Sequence, residues 1–71
     1  MSKPVTVNYS PVALKAVRTS RGLTQKALAA LVDAPERTYQ RWEAGVYVPD
    51  GNYMLRLQIA LSCSASDLVE E

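Results

Sequence analysis

Four long polar side chains share one face of a short helix predicted near residues 35–44: Glu36, Arg37, Gln40 and Arg41. Arg37 and Arg41 are one helical turn apart, so both can face the same ligand. A guanidinium can bond two acceptors at the edge of guanine in the major groove of DNA, Gln40 can bond adenine, and Glu36 can accept from cytosine. Each of these residues also has a simpler interpretation. The arginines can lie on a solvated face and contact only phosphates. Gln40 can cover Tyr39, and Glu36 can cap the helix.

A second polar group lies at the start of the preceding helix, predicted over residues 25–32. Thr24 is expected to cap this helix, and Gln25 and Lys26 follow it. The free N–H groups at a helix start favour an anion such as a phosphate. Lys26 and Arg21 are therefore phosphate candidates, although either can equally be loose surface charge.

The inventory of reactive side chains argues against catalysis. The chain has one cysteine and no histidine. This excludes Cys/His zinc sites, Ser-His-Asp triads and Cys-His nucleophiles together. The sequence predicts no enzyme, no metal, no cofactor and no small-molecule ligand.

Length and composition indicate one small folded domain. The chain has 71 residues, of which 48% are hydrophobic and 21% are charged. That balance is too apolar for a disordered chain. No apolar run approaches the roughly 18 residues that a membrane span needs, and the first residues lack the apolar core of a secretion signal. The expectation is a cytoplasmic, nucleoid-associated protein with no membrane partner.

The charges are unevenly distributed along the chain. Residues 1–49 carry seven basic and three acidic side chains, a net charge of +4, whereas residues 50–71 carry one basic and four acidic ones, a net charge of −3. A basic DNA-facing surface opposite an acidic or dimerising surface would produce this asymmetry. Random scatter in a short chain would also produce it.

Five helices are predicted to position these side chains. The first begins at Ser10 and Pro11 and ends at Gly22, and the third is ended by Gly45. The other helices are placed at residues 25–32, at residues 51–62 after Asp50, and between Ser64 and Val69 behind a capping box formed with Asp67.

Two segments allow a second interpretation. Leu55, Leu57, Ile59 and Leu61 alternate as in a strand, which makes a C-terminal β-hairpin after three helices the alternative fold. Residues 1–9 suit an extended arm or a short strand, because Val5, Val7 and Tyr9 also alternate, or else a frayed tail. The domain organisation is thus an arm over residues 1–9 and a helix-turn-helix domain over residues 10–71.

The spacing of these motifs resembles the phage repressor/Cro-like, or XRE-like, helix-turn-helix family. The matching segments run without gaps to Pro49: Val17-Arg18, Gly22-Leu23-Thr24-Gln25, Leu28-Ala29 and Arg41-Trp42-Glu43-Ala44-Gly45. The resemblance covers about residues 12–69. It implies an all-α, compact five-helix bundle of the lambda-repressor type, which favours the helix over the hairpin.

The resemblance also implies roles for single residues. Gln25 contacts a phosphate and braces the reading helix, and Arg18 forms a structural ion pair with Glu43. The chain departs from the family pattern at several positions. Among them, the loop Val46-Tyr47-Val48 lacks the basic residues often found there, Asp33 replaces a glycine, and Pro35 replaces a Ser or Thr cap. A capping box between Asp33 and Glu36 would compensate for the missing cap.

The implied function is sequence-specific binding of double-stranded DNA by a transcriptional regulator, with repression through a two-fold operator. A single domain reads too few base pairs for genomic specificity, so a homodimer is expected. Leu55 and Ile59 lie off the predicted core stripe and are candidates for the dimer interface or for additional core. The alternative function is an antitoxin-like protein-interaction module with secondary DNA binding.

Overall fold

The computed structural model describes residues 8–70, which are mostly helical. The four α-helices are α1 (Pro11–Ser20), α2 (Gln25–Leu31), α3 (Glu36–Glu43) and α4 (Gly51–Leu61), followed by a 3-10 helix (Ala65–Leu68). The strands β1 (Asn8–Tyr9) and β2 (Val69–Glu70) flank them in the chain. Most of the predicted arm, residues 1–7, lies outside the described residues.

The predicted count of five α-helices is not confirmed, because the fifth predicted helix is a 3-10 helix of four residues. Asp67 accepts a hydrogen bond from the backbone N–H of Ser64 at 2.9 Å, as the capping box predicted. The chain then extends into β2, which pairs antiparallel with β1 and aligns Tyr9 with Val69. The ends of the domain are thereby joined by a small sheet.

The alternative fold is matched only in part: the described residues contain a small sheet, but residues 51–61 form α4 rather than a hairpin strand. Asp50 caps α4 by accepting a hydrogen bond from the N–H of Tyr53 at 2.9 Å. Within α4, Leu57 and Leu61 are fully buried and lie one turn apart. Leu55 and Ile59, which alternate with them in the sequence, are exposed. The alternation therefore reflects one helical stripe in the core and one outside it.

The core lies between the four helices and the 3-10 helix. Its buried side chains are Leu14, Leu28, Ala29, Val32, Tyr39, Trp42, Leu57, Leu61 and Leu68. Trp42 packs edge-on against Tyr39, with ring centroids 5.7 Å apart, and against Tyr53 at 4.9 Å. The contact with Tyr53 packs the inner face of α3 against α4.

The turn between α2 and α3 contains a non-glycine residue in the left-handed conformation. Asp33 has a φ of +58°. Asp33→Gly is expected to raise the free energy of unfolding by about 0.5–1 kcal/mol, because glycine avoids most of the left-handed penalty but loses more chain entropy on folding. Urea denaturation would check this. Asp33→Ala is the control, since it also removes the carboxylate but is expected to destabilise, and equal effects of the two would contradict the backbone argument.

Candidate nucleic-acid interface

The outer face of α3 carries the four side chains predicted to read DNA. Glu36, Arg37 and Gln40 are exposed and Arg41 is half-buried. The opposite face buries Tyr39 and Trp42 in the core. Eight residues of helix thus present long polar groups on one side and aromatic anchors on the other.

The predicted capping box between Asp33 and Glu36 is not formed. The residue preceding α3 is Pro35, with φ −58° and ψ 139°, and no side chain caps the helix. The Glu36 carboxylate instead accepts a hydrogen bond from the Gln40 amide at 3.4 Å. The left-handed backbone of Asp33 accounts for the difference, because this residue forms the turn rather than the cap. Gln40 therefore contacts Glu36 on the exposed face.

Arg41 has a neighbour that sequence reasoning missed. Its guanidinium carbon lies 5.3 Å from the ring centroid of Tyr47, which belongs to the loop after α3. In the sequence this loop differs from the family pattern in having no basic residue. The available signal was an aromatic residue shortly after Gly45, whose φ of +77° reverses the chain towards α3.

Gln25 links α2 to α3 directly. Its amide donates a hydrogen bond to the Glu43 carboxylate at 3.1 Å. Thr24 caps α2 by accepting from the N–H of Ala27 at 3.0 Å. The structure therefore places Gln25 as a brace of α3, while Lys26 beside it is exposed.

Glu43 is the centre of the polar network that holds α3. The Arg18 Nε donates to Glu43 Oε2 at 2.5 Å and its Nη2 donates to Oε1 at 3.1 Å. The Tyr39 hydroxyl donates to the same carboxylate, and the Arg18 and Glu43 side chains are only 10% and 5% exposed. Arg18 also donates to the Leu23 carbonyl at 2.7 Å. One ion pair thus joins α1, the following loop and α3.

The pKa values in this network follow from its hydrogen bonds. Burial alone would raise the pKa of Glu43, but the hydrogen bonds from Arg18, Tyr39 and Gln25 outweigh it and lower the pKa below its ordinary value. The hydrogen bond to Glu43 raises the pKa of Arg18. Burial and then the bond to Glu43 raise the pKa of Tyr39. The pair is therefore ionised and Tyr39 is neutral at neutral pH.

The N-terminal strand also reaches α3. The Tyr9 hydroxyl donates to the Trp42 carbonyl at 2.8 Å. Burial raises the pKa of Tyr9, with a smaller contribution from the negative charge of Glu43. The end of α3 is thus fixed both by its own side chains and by β1.

Two arginines are used at helix ends rather than on the candidate interface. Arg21 Nε donates to the Leu61 carbonyl at the end of α4 at 2.8 Å, so this side chain is held against α4 rather than loose. Arg56 Nη1 donates to the Val32 carbonyl after α2 at 3.1 Å. Within residues 8–70, Arg37 and Arg41 make no such hydrogen bond, so their donors are available on the outer face of α3.

Leu55 and Ile59 are 60% and 79% exposed, so they do not extend the core. Ile59 lines a shallow groove of about 280 Å³ with Leu31, Arg56 and Ala60. Leu31 is itself 62% exposed. α4 and the end of α2 therefore present apolar surface away from the core.

Other kinds of site are not found in the part of the chain that the structure describes. Residues 8–70 contain no group of three potential ligands that could hold a metal ion. No helix within that range is long and apolar enough to cross a bilayer.

The helix α2, the turn at residues 32–35 and the helix α3 with its polar outer face define a helix-turn-helix domain. A family model described as helix-turn-helix matches residues 14–68. The chain belongs to this family, in its phage repressor/Cro-like, or XRE-like, branch.

Two solved structures resemble the fold. The restriction-modification controller protein C.AhdI from Aeromonas hydrophila is 26% identical with a TM-score of 0.76, covering 80% of this chain and 86% of its own. The DNA-binding domain of the P22 C2 repressor is 26% identical with a TM-score of 0.77, covering 87% of this chain and 82% of its own. No curated protein sequence matches the chain.

Proposed function

We propose that the chain is a sequence-specific DNA-binding transcriptional regulator that represses by occupying a two-fold operator as a homodimer. The observation that carries the proposal is the difference between the two faces of α3. Tyr39, Trp42 and Glu43 fix the inner face, while the Arg37 and Arg41 side chains on the outer face make no hydrogen bond within residues 8–70. Two similar structures are named as a controller protein and a repressor's DNA-binding domain, which supports this assignment. The proposal includes no catalytic step, cofactor or small-molecule ligand.

In this proposal α3 lies in the major groove of double-stranded DNA. Arg37 and Arg41 bond guanine edges, Gln40 bonds adenine, and Glu36 accepts from cytosine or orients Gln40 through their existing hydrogen bond. At the start of α2, Gln25 and Lys26 contact the DNA backbone, where Lys26 is exposed and supplies the charge. Phosphate contacts fix the register, and the α3 side chains supply the specificity.

The proposed DNA-binding domain is residues 10–71, preceded by the arm at residues 1–9. Within that arm, Asn8 and Tyr9 pair with β2 and contact the end of α3. The short sheet would keep the arm's attachment point next to the reading helix. The expected location is the cytoplasm, in association with the nucleoid.

The proposed dimer uses Leu55 and Ile59, next to the groove that Leu31 lines. Ile59→Glu is expected to weaken dimerisation on DNA at least tenfold, because a desolvated charge at an apolar contact costs more than about 1.4 kcal/mol. Sedimentation of the protein with an operator duplex and with its half-site would measure this. Val12→Glu is the matched control, since Val12 and Ile59 are both 79% exposed. Equal effects of the two substitutions, or a monomer on the best site, would contradict the dimer.

The test of the proposed function is selection from random duplex DNA near physiological salt, with the wild-type protein beside Arg41→Ala. A two-fold-symmetric motif that changes in the variant supports a dimeric regulator with Arg41 at a base. An unchanged motif keeps the regulator but reduces Arg41 to a backbone contact. If no sequence is enriched, the proposal fails.

The same apolar surface favours a second candidate function. An antitoxin-like module would use exposed Leu31, Leu55 and Ile59 to mask a protein partner and would bind DNA secondarily. Co-purification of one stoichiometric partner from native lysate, lost in Ile59→Glu and kept in Val12→Glu, would support it. Selection without any enriched DNA sequence would point in the same direction.

A further inference from the structure

Arg41 and Tyr47 form a pair at the edge of the proposed reading face. The guanidinium carbon lies 5.3 Å from the centre of the tyrosine ring, within the range of a cation–π contact. Tyr47 is 47% exposed and Arg41 is half-buried, so the pair is partly open to solvent. The Tyr47 hydroxyl makes no hydrogen bond to another residue among those the structure describes.

The loop that carries Tyr47 is tied back to Arg41 through its backbone as well. The carbonyl of Arg41 accepts hydrogen bonds from the N–H groups of Val46 at 3.0 Å and Tyr47 at 3.3 Å. Gly45 permits this reversal because its φ of +77° lies in the left-handed region that glycine adopts readily. The ring is thus placed against the guanidinium by the end of the helix itself rather than by a freely moving loop.

We propose that Tyr47 is a positioning residue that holds the Arg41 guanidinium in the orientation required for reading a guanine. The inference rests on the proposed function, because it assigns a role relative to the Arg41 base contact. A guanidinium on an aromatic ring uses the face of its π system and leaves its in-plane N–H donors free. A bidentate contact to guanine O6 and N7 needs those in-plane donors.

The benefit of such positioning is entropic and geometric. An arginine side chain has many rotamers, and ordering them on binding weakens the complex. A ring that already restricts Arg41 in the free protein removes part of that penalty and favours the two-bond geometry over a single bond. The effect should therefore appear in discrimination at one base pair more than in the general attraction to DNA.

The experiment measures Kd by fluorescence anisotropy for the selected duplex and for the same duplex altered at the base pair that Arg41→Ala disturbs. Tyr47→Leu removes the π face, and Tyr47→Phe keeps it while removing the hydroxyl. Val48→Ala is the control in the same loop, since Val48 is 69% exposed. Each substitution is made in the wild-type protein and in Arg41→Ala.

Tyr47→Leu is expected to weaken binding to the selected duplex about three- to fivefold, the scale of an exposed cation–π contact, and to lower discrimination at that base pair equally. It should have no effect in the Arg41→Ala background, and Tyr47→Phe and Val48→Ala should match the wild type. A loss of the same size in both backgrounds, or a loss in Tyr47→Phe, would overturn the inference, because Tyr47 would then contact DNA independently.

Failure of the inference is distinguishable from failure of the proposed function. If Arg41→Ala changes the selected motif but Tyr47→Leu leaves discrimination intact, only the positioning role is overturned. If Arg41→Ala leaves the motif unchanged, the base contact fails and the positioning role fails with it. If the wild type selects no motif, the regulator itself is wrong.

Discussion

Replacing Glu43 with alanine is expected to lower the free energy of unfolding by about 3–5 kcal/mol, the loss typical of a buried ion pair broken from one side. The substitution leaves the Arg18 guanidinium, only 10% exposed, without its carboxylate. It also removes the acceptor for the Tyr39 hydroxyl and the Gln25 amide. An unpaired buried charge costs far more than the pair contributes. Urea denaturation followed by circular dichroism would measure the change.

Two control variants separate the effect of the Glu43 charge from the effect of its packing. Glu36→Ala removes an exposed carboxylate from the same helix and should change stability by less than about 0.5 kcal/mol. Arg18→Met combined with Glu43→Leu removes both charges and should recover most of the loss, since apolar replacement of a buried pair is often near neutral. Equal effects of Glu43→Ala and Glu36→Ala would refute the argument.

Because the pKa of Glu43 is lowered in the folded protein, the free energy of unfolding is expected to fall in acid. Hydrogen bonds lower the pKa of Glu43 in the folded protein below its ordinary value of 4.5. The unfolded chain therefore binds this proton more readily, and the stability from ionised Glu43 is present above pH 4.5 and lost as the pH falls through the lower folded pKa. Glu43→Gln should flatten that acid limb. An acid limb as steep as that of the wild type would contradict the assignment.

The sequence predicted those features that depend on local patterns. The caps at Thr24 and Asp50 follow from side chains that reach a backbone N–H three residues away. The polar outer face of α3 follows from the one-turn spacing of Arg37 and Arg41. The pair of Arg18 with Glu43 was different, since only the resemblance to a family suggested it.

Features that join distant segments were not predictable from local patterns. The Arg21 guanidinium bonds a carbonyl forty residues along the chain, and nothing near Arg21 indicates this partner. The pairing of β1 with β2 joins the two ends of the described chain. The last predicted helix is only a 3-10 helix, because the backbone N–H of Ser10 bonds the Leu68 carbonyl at 2.9 Å and draws the chain into a strand. Tertiary contacts decided each of these cases.

Arg21 and Arg56 bond backbone carbonyls, whereas Arg37 and Arg41 lie on the outer face of α3. This contrast leads to the prediction with the largest effect on function. Removing Arg37 and Arg41 together should cost about 2–6 kcal/mol of binding to the selected site, or roughly thirtyfold to 10⁴-fold in Kd, from two bidentate base contacts. Binding to a scrambled duplex should fall much less, because attraction to phosphates does not depend on sequence. The ratio of the two affinities, measured by competition at fixed salt, should therefore fall by nearly the same factor as the affinity for the selected site.

The control for Arg37→Ala with Arg41→Ala removes two positive charges from outside the outer face of α3. Arg21→Gln with Lys15→Gln also takes two positive charges from the chain. Lys15 is exposed on α1, and a glutamine at position 21 keeps a donor for the carbonyl at the end of α4. This control should retain the affinity ratio between selected and scrambled duplexes at a temperature where both proteins are folded. If both double variants lose the ratio to the same extent, net charge and not the face of α3 determines recognition. If only Arg37→Ala with Arg41→Ala loses it, specificity resides in these two guanidinium groups, which make no hydrogen bond in the part of the chain that the structure describes.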